Sequence, residues 1–468
     1  MDKTANRSTL AWIAGISLAT LGCYWQVHNF QFVYDSVGFV LDNPHIQAFS
    51  WANTKWILFH AWLQNWQPVT WLSHTLDFTL FGDHAGGPHL VNLAFHLGNS
   101  LLLYFLMCRL FRLGNVAPTA AARMAGITAF IFAVHPQHVE SVVMIAQRKD
   151  MLYGLLSLLC TFAYLRREQA TADRFRWTLA LLALYLLDLM AKPMAVTLPL
   201  VFVALDALLL RKGTTPAALA ASILDKSGML VLAVMVGVIT LTTQQSAMFP
   251  SDVFTPVHRL AHAIHNFGFY SWKFLAPADL SPYYQFTSLN GMLQPAYWLP
   301  GLLYLITASV FCALAYRRNH PGFLLGWLYF LLTLAPVCGY LQVGSASAAD
   351  HYLYLATIPF GALVAWLTVT LVERLPSSRS VLIATTGAWL LVLAMLTWVQ
   401  VGFWRSPFSL WERVLVLYPD AQLPRRNLAI SYMQAGAYDK ALTEAMRLAR
   451  PDKTLLDEIH RRQSSTAP

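Results

Sequence analysis

An aspartate stands just beyond the first apolar segment of the chain, where a membrane helix would give way to a long polar loop. It is Asp35, in the stretch Phe32-Val33-Tyr34-Asp35-Ser36. A carboxylate at a membrane surface can take a proton from a soluble acceptor while a second substrate arrives through the lipid. Asp35 is therefore a candidate general base. The other acids of the same loop are expected to be solvated; they are Asp42, Asp77 and Asp83.

A second candidate set is a run of three charges, Arg148, Lys149 and Asp150, at a point where the chain re-enters the membrane. Two positive charges on the outer side run against the usual charge bias of membrane proteins and need a local reason. The phosphate of a lipid carrier would supply one, because Arg binds phosphate through a fork of donors and Lys binds it as a point charge. An ion-pair network with Glu140 or Asp150 explains the charges equally well.

His135, His138 and Glu140 lie together in the segment before these charges. Their spacing matches neither the i, i+4 histidine pair of a metalloprotease nor a Cys/His zinc module. The sequence therefore predicts no metal site, and nothing in it calls for a cofactor.

Lys192 is another costly charge, at the outer end of the fifth apolar segment. A lysine at the centre of a membrane helix costs roughly 2.5–3.5 kcal/mol, so Lys192 is expected to reach the interface or a polar partner. Asp188, one turn earlier, is the partner that the helical spacing predicts.

The last outer loop places an acid and two tyrosines after a run of small residues, in Ala349-Asp350-His351-Tyr352-Leu353-Tyr354. Small residues let another backbone approach closely, and a carboxylate with phenol hydroxyls suits a hydroxyl-rich ligand. Alone, this pattern is a weak indication of a binding site.

The composition tells us which kind of protein must position these residues. Of 468 residues, 57% are hydrophobic and only 12% are charged, which is typical of a polytopic membrane protein. The net charge of +9 is spread over short loops, so nucleic acid is not an expected partner. The five cysteines lie in apolar segments and are odd in number, which argues against a disulfide framework.

Eleven apolar segments approach the roughly 20 residues that a helix needs to cross a bilayer. The expected architecture is an all-α polytopic membrane protein with about eleven transmembrane helices, at about 9–28, 90–111, 121–136, 150–165, 177–191, 194–210, 227–244, 297–315, 322–341, 353–372 and 381–402.

The alternation of Lys- and Arg-rich loops predicts a cytoplasmic amino terminus, and an odd number of crossings places the carboxyl terminus outside. The long loops at about 29–88 and 245–296 then lie on the outer side. The segment 257–276 is long enough to cross, but counting it would put Arg317 and Arg318 outside. Because it also carries a polar stripe, we expect an interfacial helix; the stripe consists of Arg259, His262, His265 and Lys273.

Further short motifs run in order across nearly the whole chain. They are Tyr34-Asp35 with Asn43-Pro44, Trp66-Gln67-Pro68-Val69-Thr70, His89-Leu90-Val91-Asn92 with His96, Phe132-Ala133-Val134-His135-Pro136 through Glu140-Ser141, Arg148-Lys149-Asp150, Lys192-Pro193 with Pro199, and Gln342-Val343-Gly344 with Ala349-Asp350-His351-Tyr352. Together they resemble the membrane O-mannosyltransferases that carry tetratricopeptide repeats, with their bacterial relatives, in the GT-C glycosyltransferase superfamily.

The resemblance implies a GT-C fold whose outer-face cavity accepts a polyprenyl-phosphate sugar, such as a mannose, and transfers it to a hydroxyl, often Ser or Thr of an exported protein. It makes Asp35 the expected general base and places Arg148, Lys149 and Lys192 at the lipid phosphate. The residues expected to bind substrate are Trp66, Gln67, His89, Asn92, His96, His135, His138, Glu140, Asp350, His351 and Tyr352.

Two positions depart from the family pattern. The family usually has a second acid directly after the first, where this chain has Ser36. It usually has Arg where this chain has His351, which replaces a permanent cation by one that titrates near neutrality.

Residues 1–404 are expected to form the GT-C domain and residues 405–468 an extracytoplasmic tail. The tail resembles tetratricopeptide helices, with Leu410-Trp411-Glu412 and Asn427-Leu428-Ala429 among its motifs. Such repeats usually need about three copies, and the tail has room for one or two. It must therefore pack on the membrane domain, on another copy, or on a partner. A dock for acceptor proteins and a remnant cap are equally good interpretations.

The expected reaction is direct displacement at the anomeric carbon, with Asp35 as base and cations on the leaving phosphate. The expected partners are the lipid-linked sugar, an exported protein or other hydroxyl acceptor, and the bilayer. The expected location is a bacterial inner membrane with the site facing the periplasm. A transporter or flippase of lipid-linked sugar is the alternative, although no internal repeat is visible. A non-catalytic assembly protein is a third interpretation, because Ser36 replaces an acid.

Overall fold

Helices joined by short 3₁₀ turns make up the structure, a computed structural model that describes residues 3–170, 172–250 and 252–466. Residues 1–2, 171, 251 and 467–468, which the predicted domains include, lie outside the described residues. The described part contains α-helices and no β-strand. The all-α class is confirmed.

The first eleven helices run as far as residue 244. They are α1 (Lys3–Tyr24), α2 (Trp51–Phe59), α3 (Pro68–Phe81), α4 (Gly86–Leu113), α5 (Pro118–Val134), α6 (Val139–Val143), α7 (Arg148–Gln169), α8 (Arg174–Ala191), α9 (Leu198–Leu208), α10 (Pro216–Asp225) and α11 (Ser227–Gln244).

The remaining ten helices are α12 (Pro256–Leu275), α13 (Leu289–Met292), α14 (Pro295–Arg317), α15 (Pro321–Leu334), α16 (Ile358–Arg374), α17 (Arg379–Gly402), α18 (Pro407–Leu417), α19 (Gln422–Gln434), α20 (Tyr438–Met446) and α21 (Lys453–Thr466). Proline occupies the first turn of many of these helices, including α12, α14 and α18. Its fixed φ and missing N–H suit that position, where an amide would have no helical acceptor.

Every one of the eleven predicted apolar segments contains a helix. Within the described residues, five segments are long and apolar enough to cross a membrane by length and composition, which marks the chain as an integral membrane protein. They are Arg7–Asn29, Gly86–Leu113, Ser227–Ala247, Leu289–Arg317 and Pro376–Gly402. The other six predicted crossings fall on helices that do not combine the required length with the required apolar composition, and they stay predictions.

Helix α4 packs against α5 on one side and α7 on the other, and α8 packs against α7. Helix α1 lies across α5 and α4, while α16 covers another side of α5. The largest apolar core runs through this group and continues into the loops that follow α1 and α5. These loops carry residues of the candidate site, so the apolar core supports the loops that form the site.

Helix α12 turns its polar residues toward the protein. His262 lies 3.0 Å from the carbonyl oxygen of Ser347, and the Asn266 amide donates to the carbonyl of Cys338 at 3.0 Å. Its exposed side is apolar instead, with Val257, Leu260, Trp272 and Leu275. Part of the predicted polar stripe thus packs on the loop around residues 338–347, and the interfacial position of the helix stays a prediction.

The tail divides into two parts. Leu410, Trp411 and Val414 of α18 belong to the core of the main helical group. Helices α19–α21 form a small core of their own, from Ala429, Met433, Ala441, Ala445, Leu455 and Ile459. Three placements were expected for the tail. Its first helix, α18, packs against the rest of the chain.

Gly301 of α14 gives a test of the packing between α12 and α14. A Cβ atom at this position would lie 2.3 Å from the carbonyl oxygen of Ile264, so Gly301→Ala must push the helices apart. We expect a loss of about 1–3 kcal/mol in stability. The matched control is Gly237→Ala in α11, where the new methyl group would meet nothing within 4 Å. Thermal unfolding in detergent measures both variants, and equal melting temperatures would contradict the packing.

Candidate active site

Asp35 lies in the loop between α1 and α2, half-buried and without a hydrogen bond from any residue that the structure describes. The residues on either side are fixed. Tyr34 has φ of 53°, an uncommon backbone conformation for a residue with a bulky side chain. The Ser36 hydroxyl accepts a hydrogen bond from the amide of Ala146 at 3.2 Å. The loop therefore holds Asp35 in place while leaving its carboxylate free.

Ser36, the first departure from the family pattern, has a structural role here. Its side chain is buried, and its bond to Ala146 ties the Asp35 loop to the turn that precedes α7. The missing second acid is thus replaced by a contact between the two segments that carry Asp35 and Lys149.

Lys149 stands in the first turn of α7 and is the free cation of the site. Its ammonium group lies 5.4 Å from the centre of the Phe39 ring. Among the described residues, no carboxylate oxygen lies within 4.0 Å of it. Its charge nevertheless acts on Asp35 and lowers the pKa of that carboxyl. An unpaired cation therefore faces an unpaired carboxylate.

Burial is the largest influence on Asp35. It raises the pKa of Asp35 to about 6, with the nearby charge of Lys149 acting in the opposite direction and Glu140 adding to the rise. A carboxyl with a pKa of about 6 is still ionised at neutral pH and is a stronger base than an ordinary aspartate. This environment suits a group that must accept a proton.

Lys192 pairs with Asp150 through a direct contact between its ammonium nitrogen and a carboxylate oxygen. The other oxygen of Asp150 accepts from the Ser141 hydroxyl at 3.1 Å. The Lys192 ammonium also lies 5.8 Å from the centre of the Tyr352 ring. Lys192 therefore lies near Tyr352, next to the ion pair that it forms with Asp150.

The predicted pairing of Lys192 with Asp188 is wrong. The Asp188 carboxylate accepts from the Ser157 hydroxyl at 2.6 Å. Lys192 ends α8 in an extended conformation, with φ of −151° and ψ of 121°. The i, i+4 rule applies to residues inside a helix, and the extended backbone turns Lys192 away from the preceding turn.

Glu140 and His351 form the second pair of the site. The two lie 2.7 Å apart through Oε1 and Nδ1, and the His351 amide donates to Oε2 at 3.1 Å. Burial raises the pKa of Glu140 to about 8 and holds the pKa of His351 well below its usual range. The pair therefore holds one proton and no net charge near pH 7. His351 does not replace the permanent cation of the family.

Asp350 and Tyr352 flank His351 in a 3₁₀ turn, Asp350–Leu353. Asp350 is buried and accepts from the Tyr284 hydroxyl at 2.9 Å. The Tyr352 hydroxyl makes no hydrogen bond within the described part of the chain. Tyr352 therefore presents a free hydroxyl group near Asp35, Glu140 and Lys192.

Arg148 is fully buried and has internal partners, although phosphate binding was expected of it. Its guanidinium donates to Asp77 at 2.8 Å, to the Ser73 hydroxyl at 2.8 Å and to the carbonyl of Pro88 at 2.9 Å, and Nε contacts the Asn92 side chain. This geometry matches the alternative of a structural ion-pair network, but the acid is Asp77 and not Glu140 or Asp150. Its contact with phosphate stays a prediction.

Asp77 is the acid of that network. The sequence led us to expect a solvated position, but the carboxylate is buried between Arg148 and His74. The expectation is wrong because the partner lies 71 residues away in the sequence. The burial of Asp77 can be predicted only once α3 and α7 are known to pack together.

Four of the five predicted binding histidines, His89, His96, His135 and His138, are completely or almost completely buried. His96 lies 2.9 Å from the Tyr354 hydroxyl, and His138 lies 2.9 Å from the Thr357 hydroxyl. His135 and His89 face backbone carbonyl oxygens of Phe274 and Gln31 at 3.0 and 3.3 Å. In this structure they join segments around the site, and their contact with substrate stays a prediction.

Asn92, Trp66 and Gln67 are likewise engaged within the protein. The Asn92 amide donates to the carbonyls of Val142 and Met144. The Trp66 indole donates to the carbonyl of Leu58 at 2.9 Å, and the Gln67 amide donates to Asn65 at 3.3 Å. The structure thus brings together one smaller set of the predicted residues, namely Asp35, Glu140, Lys149, Lys192, His351 and Tyr352.

A separate cavity of about 570 Å³ opens between the carboxyl-terminal ends of α1 and α17, and Asp35 does not line it. Within residues 3–170, 172–250 and 252–466, no group of three or more His, Cys, Asp or Glu side chains is arranged to hold a metal ion. Asp35, with its raised pKa and the charge of Lys149 nearby, is a group that can accept a proton at neutral pH.

Comparison with known proteins gives relatives of one kind. No protein-family model matches the chain. The human "Protein O-mannosyl-transferase TMTC4" is 27% identical over 197 residues, which is 37% of this chain and 26% of that protein. The human "Protein O-mannosyl-transferase TMTC3" is 26% identical over 189 residues, which is 39% of this chain and 19% of that protein. The mouse TMTC1 protein is 31% identical over 166 residues, or 33% and 16%.

The chain thus matches about a quarter or less of the length of these curated relatives. The resemblance that its motifs indicated is confirmed. A solved structure, the apo form of the Archaeoglobus fulgidus oligosaccharyltransferase, aligns with 92% of this chain and 59% of its own, at 12% identity and a TM-score of 0.47. That likeness is too low to carry an argument.

The two neighbouring cations of α7 should differ sharply in their effect on stability. Arg148→Ala leaves Asp77 buried without its partner, so we expect a loss of about 3–5 kcal/mol. Lys149→Ala removes a charge that makes no ion pair, so its effect should stay within about 1 kcal/mol. Thermal unfolding in detergent compares the two variants. A wild-type melting temperature for Arg148→Ala would show that the network does not support the fold.

Proposed function

We propose that this chain, a relative of the protein O-mannosyl-transferases, is a membrane glycosyltransferase that moves a sugar from a polyprenyl-phosphate donor to a hydroxyl group, such as Ser or Thr of an exported protein. The observation that carries the proposal is the free carboxylate of Asp35 opposite the free ammonium group of Lys149. A transfer to a hydroxyl needs a base for the acceptor and a cation for the leaving phosphate, and these two side chains supply both.

In the proposed reaction, Asp35 takes the proton of the acceptor hydroxyl as its oxygen attacks the anomeric carbon. The bond between that carbon and the phosphate oxygen breaks, and the phosphate leaves with the bonding electrons. Lys149 faces the developing charge, and Lys192 contributes from its pair with Asp150. Two lysines suffice for a monophosphate leaving group, because its added charge is a single unit.

Arg148 has a different part in this proposal. Its side chain is completely buried by partners on α3 and α4, so it acts chiefly by fixing the first turn of α7. Lys149, the next residue, is then presented to Asp35. We thus assign the phosphate to the lysines and the support of their position to Arg148.

The proposal includes the membrane arrangement. Eleven helices of a GT-C fold cross the membrane, α12 lies at the interface, and residues 1–404 form the catalytic domain. The tail, residues 405–468, resembles a short tetratricopeptide repeat on the outer side. The alternation of basic loops supports this orientation, and it directs the site toward the periplasm of a bacterial inner membrane, where lipid-linked sugar and exported proteins meet.

Asp35→Asn should abolish transfer in a protein that still folds. The amide cannot accept the proton, so we expect the rate to fall about 10²–10⁴-fold. The assay offers purified protein a panel of polyprenyl-phosphate and polyprenyl-diphosphate sugars with a peptide rich in Ser and Thr. The matched control is Asp42→Asn, an exposed acid in the same loop, which should keep wild-type activity.

The outcome separates the candidate functions. Transfer from a monophosphate donor that disappears in Asp35→Asn and persists in Asp42→Asn supports the proposal. Activity that survives in Asp35→Asn would remove the role of Asp35 as base. If the wild type uses no donor, the glycosyltransferase proposal fails. A flux assay for lipid-linked sugar then tests the alternative function as a transporter.

The dependence of the rate on pH should report the ionisation of Asp35. The base acts in its charged form, so the rate should fall as the pH drops through about 6, the pKa that burial gives Asp35. Lys149 lowers that pKa, so Lys149→Gln should move the acidic limb to higher pH while also slowing the reaction. Initial rates between pH 4 and 9 measure the shift, and an unmoved limb would exclude the coupling of these two residues.

A further inference from the structure

The loop that carries Asp35 is in contact with the first helix of the tail. The ring of Trp411 in α18 meets the ring of Tyr34 edge to face, with the ring centres 5.0 Å apart and the planes at 83°. Trp411 is only 2% exposed. A residue of the tail therefore packs directly on the neighbour of the proposed base.

Tyr34 is the residue of this loop that most needs such support. Its φ of 53° is a left-handed conformation that costs a residue with a Cβ atom, and such conformations persist only where the surroundings impose them. The edge-to-face contact with Trp411 fixes the Tyr34 ring, and the ring fixes the backbone that leads into Asp35.

A second contact ties the same loop to the start of the tail. The amide of Gln31 donates to the carbonyl of Arg405 at 3.2 Å. Residues 405–411 thus hold the loop at two places, Gln31 and Tyr34, within the four residues that precede the base. Ser36 adds the third attachment, on the other side of Asp35, through Ala146.

Helix α18 also reaches the loop after α12. Arg413 donates to the Asp279 carboxylate at 3.2 Å, and Tyr284 in that loop donates to Asp350. One helix therefore contacts both the loop that carries Asp35 and the loop whose Tyr284 binds Asp350. The packing of α18 with the main core makes these contacts part of the same helical group.

We propose that Trp411 is a positioning residue, which holds the left-handed backbone at Tyr34 and so fixes the place of the Asp35 carboxylate. This inference rests on the proposed function, because it assigns to the tail a part in the reaction of Asp35. The tail is then a component of the active site and not an appendage of the membrane domain.

The first measurement needs no substrate. In the full-length chain, Trp411→Leu removes the ring contact but keeps an apolar side chain in the core. We expect faster hydrogen–deuterium exchange in residues 30–36. The matched control is Tyr432→Leu, another tail aromatic, which packs on Phe408. The control should leave exchange in residues 30–36 unchanged.

The second measurement is the rate of transfer from polyprenyl-phosphate mannose. A misplaced base slows the chemical step, so Trp411→Leu should lower kcat about 10–100-fold and leave the KM for the donor within about two-fold. Trp411→Phe keeps an aromatic edge on Tyr34 and should recover most of the rate. Tyr432→Leu should keep the wild-type kcat.

A double variant tests whether Trp411 acts through Tyr34. Tyr34→Gly removes the ring and accepts the left-handed backbone without strain. If Trp411 works by this contact, Trp411→Leu should cause no further loss of kcat in the Tyr34→Gly protein, because the two changes remove the same interaction. A full additional loss would overturn the inference.

Failure of the inference about Trp411 can be distinguished from failure of the proposed function. If Asp35→Asn abolishes transfer while Trp411→Leu changes neither kcat nor exchange in residues 30–36, the function stands and the inference is overturned. If Asp35→Asn stays active, the role of the base fails, and unchanged exchange in Trp411→Leu would then also remove the support of the loop by the tail.

Discussion

The buried guanidinium of Arg148 is the interaction on which the rest of the site depends. It stands at the start of α7 and donates into α3 and the beginning of α4, to Ser73, Asp77, Pro88 and Asn92. A buried charge is costly, and this one is tolerated because its donors are matched by a carboxylate and neutral acceptors. Three helices are thereby fixed to one residue. Lys149 follows it directly in the sequence, so the contacts of Arg148 also fix the turn of α7 that carries Lys149.

The free carboxylate of Asp35 needs a different kind of support, because hydrogen bonds donated to its oxygens would lower its pKa and make it a weaker base. The structure holds its neighbours instead. Ser36 is bonded to the turn before α7, and Tyr34 is packed against α18. Asp35 is thus located by contacts that its neighbours make with two distant parts of the chain, which leaves its oxygen atoms open to a substrate.

The sequence predicted the all-α class, the helical segments and the cluster around Asp35, Lys149, Lys192, Glu140 and His351, because hydropathy and short motifs are local signals. It could not decide between phosphate and an acid as the partner of Arg148, since Asp77 is remote in sequence. It misassigned the partner of Lys192, because the end of α8 changes the direction of that side chain. The contact between Trp411 and Tyr34 spans most of the chain and has no local signal at all.

The charges of the site can be followed through the proposed reaction. Lys192 with Asp150 and Glu140 with His351 are each without net charge, so Lys149 and Asp35 decide the local balance. Before transfer these two offset each other across the site. When Asp35 takes the acceptor proton, its negative charge disappears and the charge of Lys149 is left uncompensated. At the same moment the departing phosphate gains one negative charge. Proton transfer to Asp35 therefore strengthens the field that stabilises the leaving group. One free carboxylate facing one free ammonium group is sufficient to deprotonate the acceptor and to stabilise the departing phosphate.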